Sequence, residues 1–160
     1  MPDSETINLV IGDAAPALDL AGDTGPISLA AHAGRKLVVY FYPKDDTPGC
    51  TNEAKDFSAL AAEFAGADTD IIGISRDSLA AHGKFRAKYG LTVGLGADAD
   101  GAVTEGWGVW VEKSMYGKKY MGIERATFLV GRDGRVAGVW RKVKVAGHAA
   151  QVLTAAQALG

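Results

Sequence analysis

The chain has 160 residues, of which 48% are hydrophobic and 22% are charged, and these proportions are those of an ordinary globular protein. The length suits one domain with a sizeable buried core, so we expect a single domain over residues 1–160, with residues 1–12 as a loose N-terminal arm. The net charge of −2 gives no electrostatic reason to expect a nucleic acid or an anionic membrane as a partner.

The N-terminal segment bears on where the protein is located, and the cysteine count bears on which kinds of site it can hold. Residues 1–14 lack the basic start and the long apolar stretch of a secretory signal, and no segment approaches the ~20 apolar residues of a membrane span. We therefore expect a cytoplasmic protein. One cysteine excludes an internal disulfide and cysteine-rich zinc clusters, and the three histidines have no metal-ligand spacing, so we expect neither a metal nor a cofactor.

The first predicted elements are a small hairpin and a buried strand. Residues 15–20 and 27–29 flank a turn-rich segment at 22–26, and this pattern predicts the hairpin. The run 37–42 is β-branched and aromatic, which is typical of a buried central strand in a parallel sheet.

A helix is predicted directly after this strand. Its core face carries apolar residues at helical spacing, which are Ala54, Phe57, Leu60, Ala61 and Phe64. Thr47 is expected to cap the helix, and Pro48 suits its first position because a missing N–H group costs nothing there. Cys50 then lies in the first turn, where free N–H groups and the helix dipole favour a thiolate over a thiol.

The next elements continue an alternating pattern. Residues 70–75 form a second apolar strand, joined to the first by a helix, so the two strands should be parallel. Ser78 is expected to cap a further helix that ends at Gly90. The stretch 91–101 is irregular, and a short helix capped by Asp100 is expected to follow it.

The end of the chain predicts a hairpin and a last helix. Residues 124–130 and 135–143 flank an Asp-Gly turn and should pair antiparallel, and an amphipathic helix begins near residues 147–148. The order of elements predicts an α/β protein with a thioredoxin-like fold, in which helices flank a mixed central β-sheet and a small N-terminal hairpin precedes it.

The spacing of Pro43, Thr47 and Cys50 resembles the active-site signature of the peroxiredoxins. The string at 41–51, Phe-Tyr-Pro-Lys-Asp-Asp-Thr-Pro-Gly-Cys-Thr, resembles their bacterioferritin-comigratory, or Q-type, subfamily. The similarity continues through four later segments, which are 73–78, 107–110, 125–130 and 140–148. It therefore covers nearly the whole chain.

This resemblance implies a thiol peroxidase that reduces hydrogen peroxide and organic hydroperoxides through a sulfenic acid on Cys50. An external thiol would restore the cysteine, and the candidates are thioredoxin, glutaredoxin and a low-molecular-weight thiol. The resemblance also implies a monomer. A peroxide sensor that is oxidised once, and a binding module with a vestigial site, are the alternative functions.

Each candidate site residue has a chemical role and a plainer alternative. The hydroxyl of Thr47 can accept a hydrogen bond from the peroxide, and the N–H groups of Gly49 and Cys50 can donate to it. The resemblance assigns Arg125 to the sulfur and the peroxide, and Pro43 to shielding the pocket. The alternatives are a buried hydrophobic role for Cys50, simple helix capping for Thr47, a surface charge for Arg125 and a strand end for Pro43.

Two positions nearby complete the comparison with the subfamily. Glu53 matches a family position after the Cys-Thr pair, and we interpret it as a supporting hydrogen-bond partner in the first helix. Many Q-type members carry a second, resolving cysteine five residues after the first, but this chain has Lys55 there and no other cysteine. The sequence therefore predicts a one-cysteine variant.

Overall fold

The computed structural model describes residues 7–160 of the chain, and residues 1–6 lie outside the described residues. The strands in this range are β1 (Asp19–Gly22), β2 (Ile27–Ser28), β3 (Lys36–Phe41), β4 (Thr69–Ser75), β5 (Gly94–Ala97), β6 (Trp110–Met115), β7 (Lys118–Ile123), β8 (Ala126–Val130) and β9 (Val136–Trp140). The α-helices are α1 (Pro48–Ala59), α2 (Ala61–Gly66), α3 (Leu79–Tyr89), α4 (Ala102–Gly106) and α5 (His148–Ala158).

The central sheet has the strand order β2-β1-β5-β4-β3-β8-β9, and β6 pairs with β7 in a separate two-stranded sheet. Strand β3 is parallel to β4 and antiparallel to β8, so the sheet is mixed. All six residues of β3 are buried, which explains the apolar and aromatic run that follows Lys36 in this strand. This architecture confirms the predicted α/β, thioredoxin-like fold.

The two faces of β3 belong to two hydrophobic clusters, because successive side chains of a strand point to opposite faces. Val39 and Phe41 pack on one face with Trp107 of the segment after α4. Tyr40 packs on the other face, where it stacks on Phe57 of α1 with a ring-centroid distance of 4.7 Å. Helices α1, α2, α3 and α5 pack on the face of Tyr40, and α4 packs on the other face. The strand that precedes Cys50 is an interior strand of the sheet.

Several predicted elements are confirmed at their expected positions. Strands β1 and β2 form the N-terminal hairpin, and β8 and β9 form the antiparallel pair near the end. The hydroxyl of Ser78 accepts a hydrogen bond from the N–H of Ala81, and Gly90 ends α3 in the left-handed conformation. Helix α5 begins at His148, as predicted.

Three strands were not predicted. Strand β5 lies inside the stretch that looks irregular in sequence, because Gly94 and Gly96 break the apolar pattern. Gly96 has a structural reason, since a Cβ atom there would lie 3.1 Å from Leu20 and 3.2 Å from Ile27 of the first hairpin. Strands β6 and β7 are mostly exposed and therefore carry no clear hydrophobic pattern.

Two helix boundaries also differ from the prediction. The long amphipathic helix expected after Thr47 is divided at Leu60 into α1 and α2. At α4, Asp100 does accept a hydrogen bond from the N–H of Ala102, but the buried carboxylate of Asp98 accepts from two further N–H groups. Asp98 is therefore the larger contributor to this helix start.

The described part of the N-terminal segment packs on the core. Leu9 is buried, and the N–H group of Gly12 donates to the carbonyl of Val136. The rest of the predicted arm, residues 1–6, lies outside the described residues. Within residues 7–160 there is no helix whose length and apolar character would let it cross a membrane.

Candidate active site

Cys50 lies in the first turn of α1, at the end of the loop that leaves the central strand β3. The first hydrogen bond of this helix runs from the N–H of Thr51 to the carbonyl of Thr47. The N–H groups of Gly49 and Cys50 therefore precede the first intrahelical bond, at the positive end of the helix dipole. The cysteine is a free thiol with only 2% of its surface exposed.

Thr47 is the N-cap residue by position and backbone conformation, but its side chain does not cap the helix. Its hydroxyl donates instead to the carbonyl of Lys44, at 2.8 Å. The predicted side-chain cap is therefore wrong, because the hydroxyl is turned towards the loop and accepts from no N–H group of the helix. Because this donation uses the hydroxyl hydrogen, the oxygen lone pairs of Thr47 stay available as acceptors.

Arg125 reaches Cys50 from the neighbouring strand. It directly precedes β8, whose first residue, Ala126, pairs with Phe41 at the end of β3. Its Nη2 donates to Cys50 Sγ at 3.3 Å, and its Nη1 donates to Glu53 Oε1 at 2.7 Å. Burial acts to lower the pKa of Arg125, but the charges of Glu53 and Cys50 outweigh it, so the pKa is raised. The guanidinium is therefore a permanent cation against the sulfur.

Glu53 lies one helical turn after Cys50 and faces the same interior. It is 1% exposed, and burial raises the pKa of its carboxyl to about 7, although Arg125 acts in the opposite direction. Its Oε2 atom has no hydrogen-bond partner among residues 7–160. The carboxyl therefore holds Arg125 in place through one oxygen only, and it does so at a desolvation cost.

The raised pKa of Glu53 predicts a pH-dependent loss of stability. The folded state keeps the proton up to about pH 7, whereas the unfolded chain releases it near the ordinary value of 4.5, so stability falls as the pH rises between these values. The free energy of unfolding should decline across this window by about 2–4 kcal/mol more in the parent than in Glu53→Gln. Urea unfolding at several pH values measures the difference. The exposed Glu63→Gln is the matched control, and equal slopes in the parent and Glu53→Gln would contradict the prediction.

Gly49 and Pro43 occupy different positions around the thiol. A Cβ atom on Gly49 would lie 3.2 Å from Arg125 Nη2, so this glycine leaves room for the guanidinium. Pro43 is exposed at the start of the loop. Lys55, at the position where many Q-type members have a cysteine, is exposed, and its Nζ lies 5.9 Å from the centroid of the Tyr89 ring.

The structure also shows features near the thiol that the sequence did not indicate. The β6–β7 hairpin places Lys113 within electrostatic range of the site. Burial lowers the pKa of Lys113, Arg125 acts in the same direction, and Cys50 acts in the opposite one. Lys113 was missed because its hairpin carries no hydrophobic pattern.

The hydrogen-bond partners of His82 and His148 lie on other elements of the fold. His148 Nε2 is 2.7 Å from the hydroxyl of Thr127 on β8, and His82 contacts residues 37 and 14 positions away. Burial lowers the pKa of His148 to about 4, with Arg125 acting in the same direction. Among residues 7–160, no group of three or more His, Cys, Asp and Glu side chains could hold a metal ion.

A single thiol at a helix start, in contact with a partly buried guanidinium on a thioredoxin-like sheet, defines a thiol-dependent redox enzyme. Comparison with known proteins identifies the class. The sequence profile of the AhpC/TSA family matches residues 11–139. Peroxiredoxin Bcp of Xanthomonas campestris pv. campestris is 53% identical over 141 residues, which cover 88% of this chain and 88% of the relative.

Solved structures agree with this match. Xanthomonas campestris bacterioferritin comigratory protein, studied in trapped intermediate and ligand complexes for its alkyl peroxide reduction activity, superimposes with a TM-score of 0.85 at 50% identity. The match covers 94% of this chain and 96% of that one. Two structures of Xanthomonas campestris peroxiredoxin Q, each with a different cysteine replaced by serine, give a TM-score of 0.86 at 49% identity and cover 96% of this chain and 98% of theirs.

The chain therefore belongs to the AhpC/TSA family, and within it to the Q-type peroxiredoxins. It is a thiol peroxidase. It differs from the two-cysteine Xanthomonas protein in having Cys50 alone.

Proposed function

We propose that Cys50 is the nucleophile that reduces hydrogen peroxide and organic hydroperoxides in this peroxidase. The observation that carries the proposal is the contact of Arg125 Nη2 with Cys50 Sγ in a site that is almost closed to solvent. The thiolate is the reactive form of cysteine, and the guanidinium held against the sulfur is a counter-charge for it. The same contact argues against a vestigial site.

The first half of the reaction joins the sulfur to one peroxide oxygen. The thiolate attacks the terminal oxygen, the O–O bond breaks, and the electron pair leaves on the second oxygen, which takes a proton to give water or an alcohol. Cys50 becomes a sulfenic acid. Arg125 and the N–H groups of Gly49 and Cys50 supply donors for the charge that develops on the departing oxygen.

The other residues of the site orient the substrate and its partners. The free lone pairs of Thr47 suit acceptance of the peroxide hydrogen, which would align the O–O bond with the sulfur. Glu53 fixes the second branch of the Arg125 guanidinium. Pro43, exposed at the mouth of the loop, would limit the access of water to the bound peroxide.

The second half of the reaction needs a thiol from outside the chain. An external thiolate attacks the sulfenic sulfur, hydroxide leaves as water, and a second thiol releases Cys50 from the mixed disulfide. Because Cys50 is 2% exposed, the first turn of α1 must loosen before that thiol can reach it. Thioredoxin, glutaredoxin and a low-molecular-weight thiol are the candidate reductants. The monomeric state and the cytoplasmic location stay predictions.

Steady-state peroxide consumption with these reductants in parallel tests the proposal. An enzyme sustains many turnovers with at least one of them. A peroxide sensor would consume one equivalent of peroxide per chain and then stop. That result with every reductant would contradict the catalytic cycle and support the sensor.

A further inference from the structure

A buried polar cluster lies under the loop that carries the site, and the peroxidase chemistry above does not use it. We call Tyr42, Asp45 and His82 the loop anchor. The hydroxyl of Tyr42 donates to Asp45 Oδ1 at 2.6 Å, and His82 Nδ1 lies 2.7 Å from Asp45 Oδ2. His82 is fully buried, and Asp45 is nearly so.

The hydrogen bonds define the charge state of His82. Its Nε2 is 2.8 Å from the carbonyl of Gly96, which can only accept, so Nε2 carries a hydrogen. The second ring nitrogen faces a carboxyl group that already accepts from Tyr42, and an imidazole is a stronger base than a carboxylate. Both ring nitrogens are therefore placed to donate, which is the arrangement of an imidazolium.

The surrounding charges support this assignment. Burial acts to lower the pKa of His82, but the hydrogen bond and charge of Asp45, the bond to Gly96 and the charge of Asp77 outweigh it, and the pKa is raised. The groups that face the ring are Asp45 and Tyr42 from the loop side, Asp77 from the end of β4, and the Gly96 carbonyl of β5.

The loop anchor connects the catalytic loop to the rest of the fold. Asp45 lies between Pro43 and Thr47, and its own N–H group donates to the carboxylate of Asp77, which also accepts from the hydroxyl of Ser75. Through Asp45, the loop is therefore attached to α3, to the end of β4 and to β5. Loss of one partner would leave a buried carboxylate without its counter-charge.

We propose that His82 is a positioning residue, whose imidazolium holds Asp45 and so keeps Thr47 and Cys50 in place beside Arg125. Release of this contact permits the first turn of α1 to loosen, which exposes the sulfur to an external thiol. The inference rests on the proposed function of Cys50. It extends that function by naming the group that sets the equilibrium between two states of the loop. In the closed state Cys50 reacts with peroxide, and in the open state it reacts with thiols.

Two substitutions of His82 separate a positioning role from simple filling of space. His82→Asn keeps a donor near the Nδ1 position, towards Asp45, and His82→Gln keeps a donor near the Nε2 position, towards Gly96. We expect His82→Gln to lower the rate constant for Cys50 oxidation by peroxide by about ten- to a hundredfold, because a displacement of ~1 Å can cost that much. Alkylation of Cys50 by iodoacetamide should become faster in the same variant. His82→Asn keeps the donor to Asp45 but not the charge, so it should change both rates less than His82→Gln does.

A second histidine–carboxylate pair provides the matched control. His32 Nδ1 is also 2.7 Å from a carboxylate oxygen, that of Asp70, but this pair is partly exposed. Asp70 lies near the start of β4, which runs parallel to β3, so the pair is at the opposite end of these strands from the loop that follows β3. The same two substitutions at His32 should leave both rates unchanged. Parent rates in His82→Gln, or equal losses in the two His82 variants, would overturn the proposal.

The charge of the ring can be measured in the parent protein, so the proposal does not depend on the folding of a variant. Nitrogen NMR of His82 at pH 7 should show both ring nitrogens protonated, and a neutral ring would overturn the proposal. This measurement also separates the two claims. If Cys50 were not the peroxide-reactive group, Cys50→Ser would still consume peroxide, whereas the ring charge and the alkylation rates of the parent would still report on the loop anchor.

Discussion

Replacing Cys50 with serine is expected to abolish peroxide consumption and leave the fold intact. A serine hydroxyl is a far weaker nucleophile than a thiolate at neutral pH, and no other cysteine in the chain can substitute. The cysteine and serine side chains are similar in size, so serine should fit the buried position of Cys50. Peroxide consumption with excess thiol measures the activity of the variant, and a urea unfolding curve measures its stability. Appreciable residual turnover in a folded Cys50→Ser variant would refute the assignment.

Replacing Arg125 with alanine is expected to slow the oxidation of Cys50 by peroxide by a factor of ~10²–10³. The variant loses the donor that contacts the sulfur and that would stabilise the departing oxygen. The rate of alkylation by a small reagent should change much less, because that reaction does not need an oriented peroxide. Comparing the two rates in the same preparation separates catalysis from access.

Two companion variants sharpen this result. Arg125→Ala leaves the buried carboxyl of Glu53 without its partner, so the double variant with Glu53→Gln removes that destabilising effect. Arg132→Ala, in the exposed β8–β9 turn, is the matched control. Like Arg125, Arg132 donates to a carboxylate, that of Asp68, and its second partner is the carbonyl of Gly34. A parent rate with peroxide in the double variant would mean that Arg125 has been placed in the wrong role.

The parts of the structure that the sequence predicts are those with a local signal. The apolar run of β3, the proline at the first position of α1 and the apolar face of that helix together placed Cys50 at a helix start. These features depend on residues a few positions apart. Local patterns also explain the correct ends of α3, because a capping serine and a left-handed glycine act on the backbone beside them.

The parts that the sequence does not predict depend on contacts between distant segments. Arg125 meets Cys50 across 75 residues through the pairing of β3 with β8, and only the family resemblance indicated it. Strand β5 carries Gly96, which leaves room for Leu20 and Ile27 of the first hairpin, and this glycine weakens the strand pattern. The sequence around His82 does not indicate a distant partner, yet its hydrogen-bond partners are in the catalytic loop and in β5. Thr47 has the sequence of a helix cap but donates within the loop.

The one-cysteine cycle is tested most directly by the intact mass of the protein after treatment with one equivalent of peroxide. With no partner sulfur in the chain, the oxidised product should carry one added oxygen, as a sulfenic acid on Cys50. In the presence of glutathione, the product should instead be a mixed disulfide with one glutathione. A mass lower by two hydrogens, with no adduct, would show an intramolecular cross-link and would contradict the mechanism.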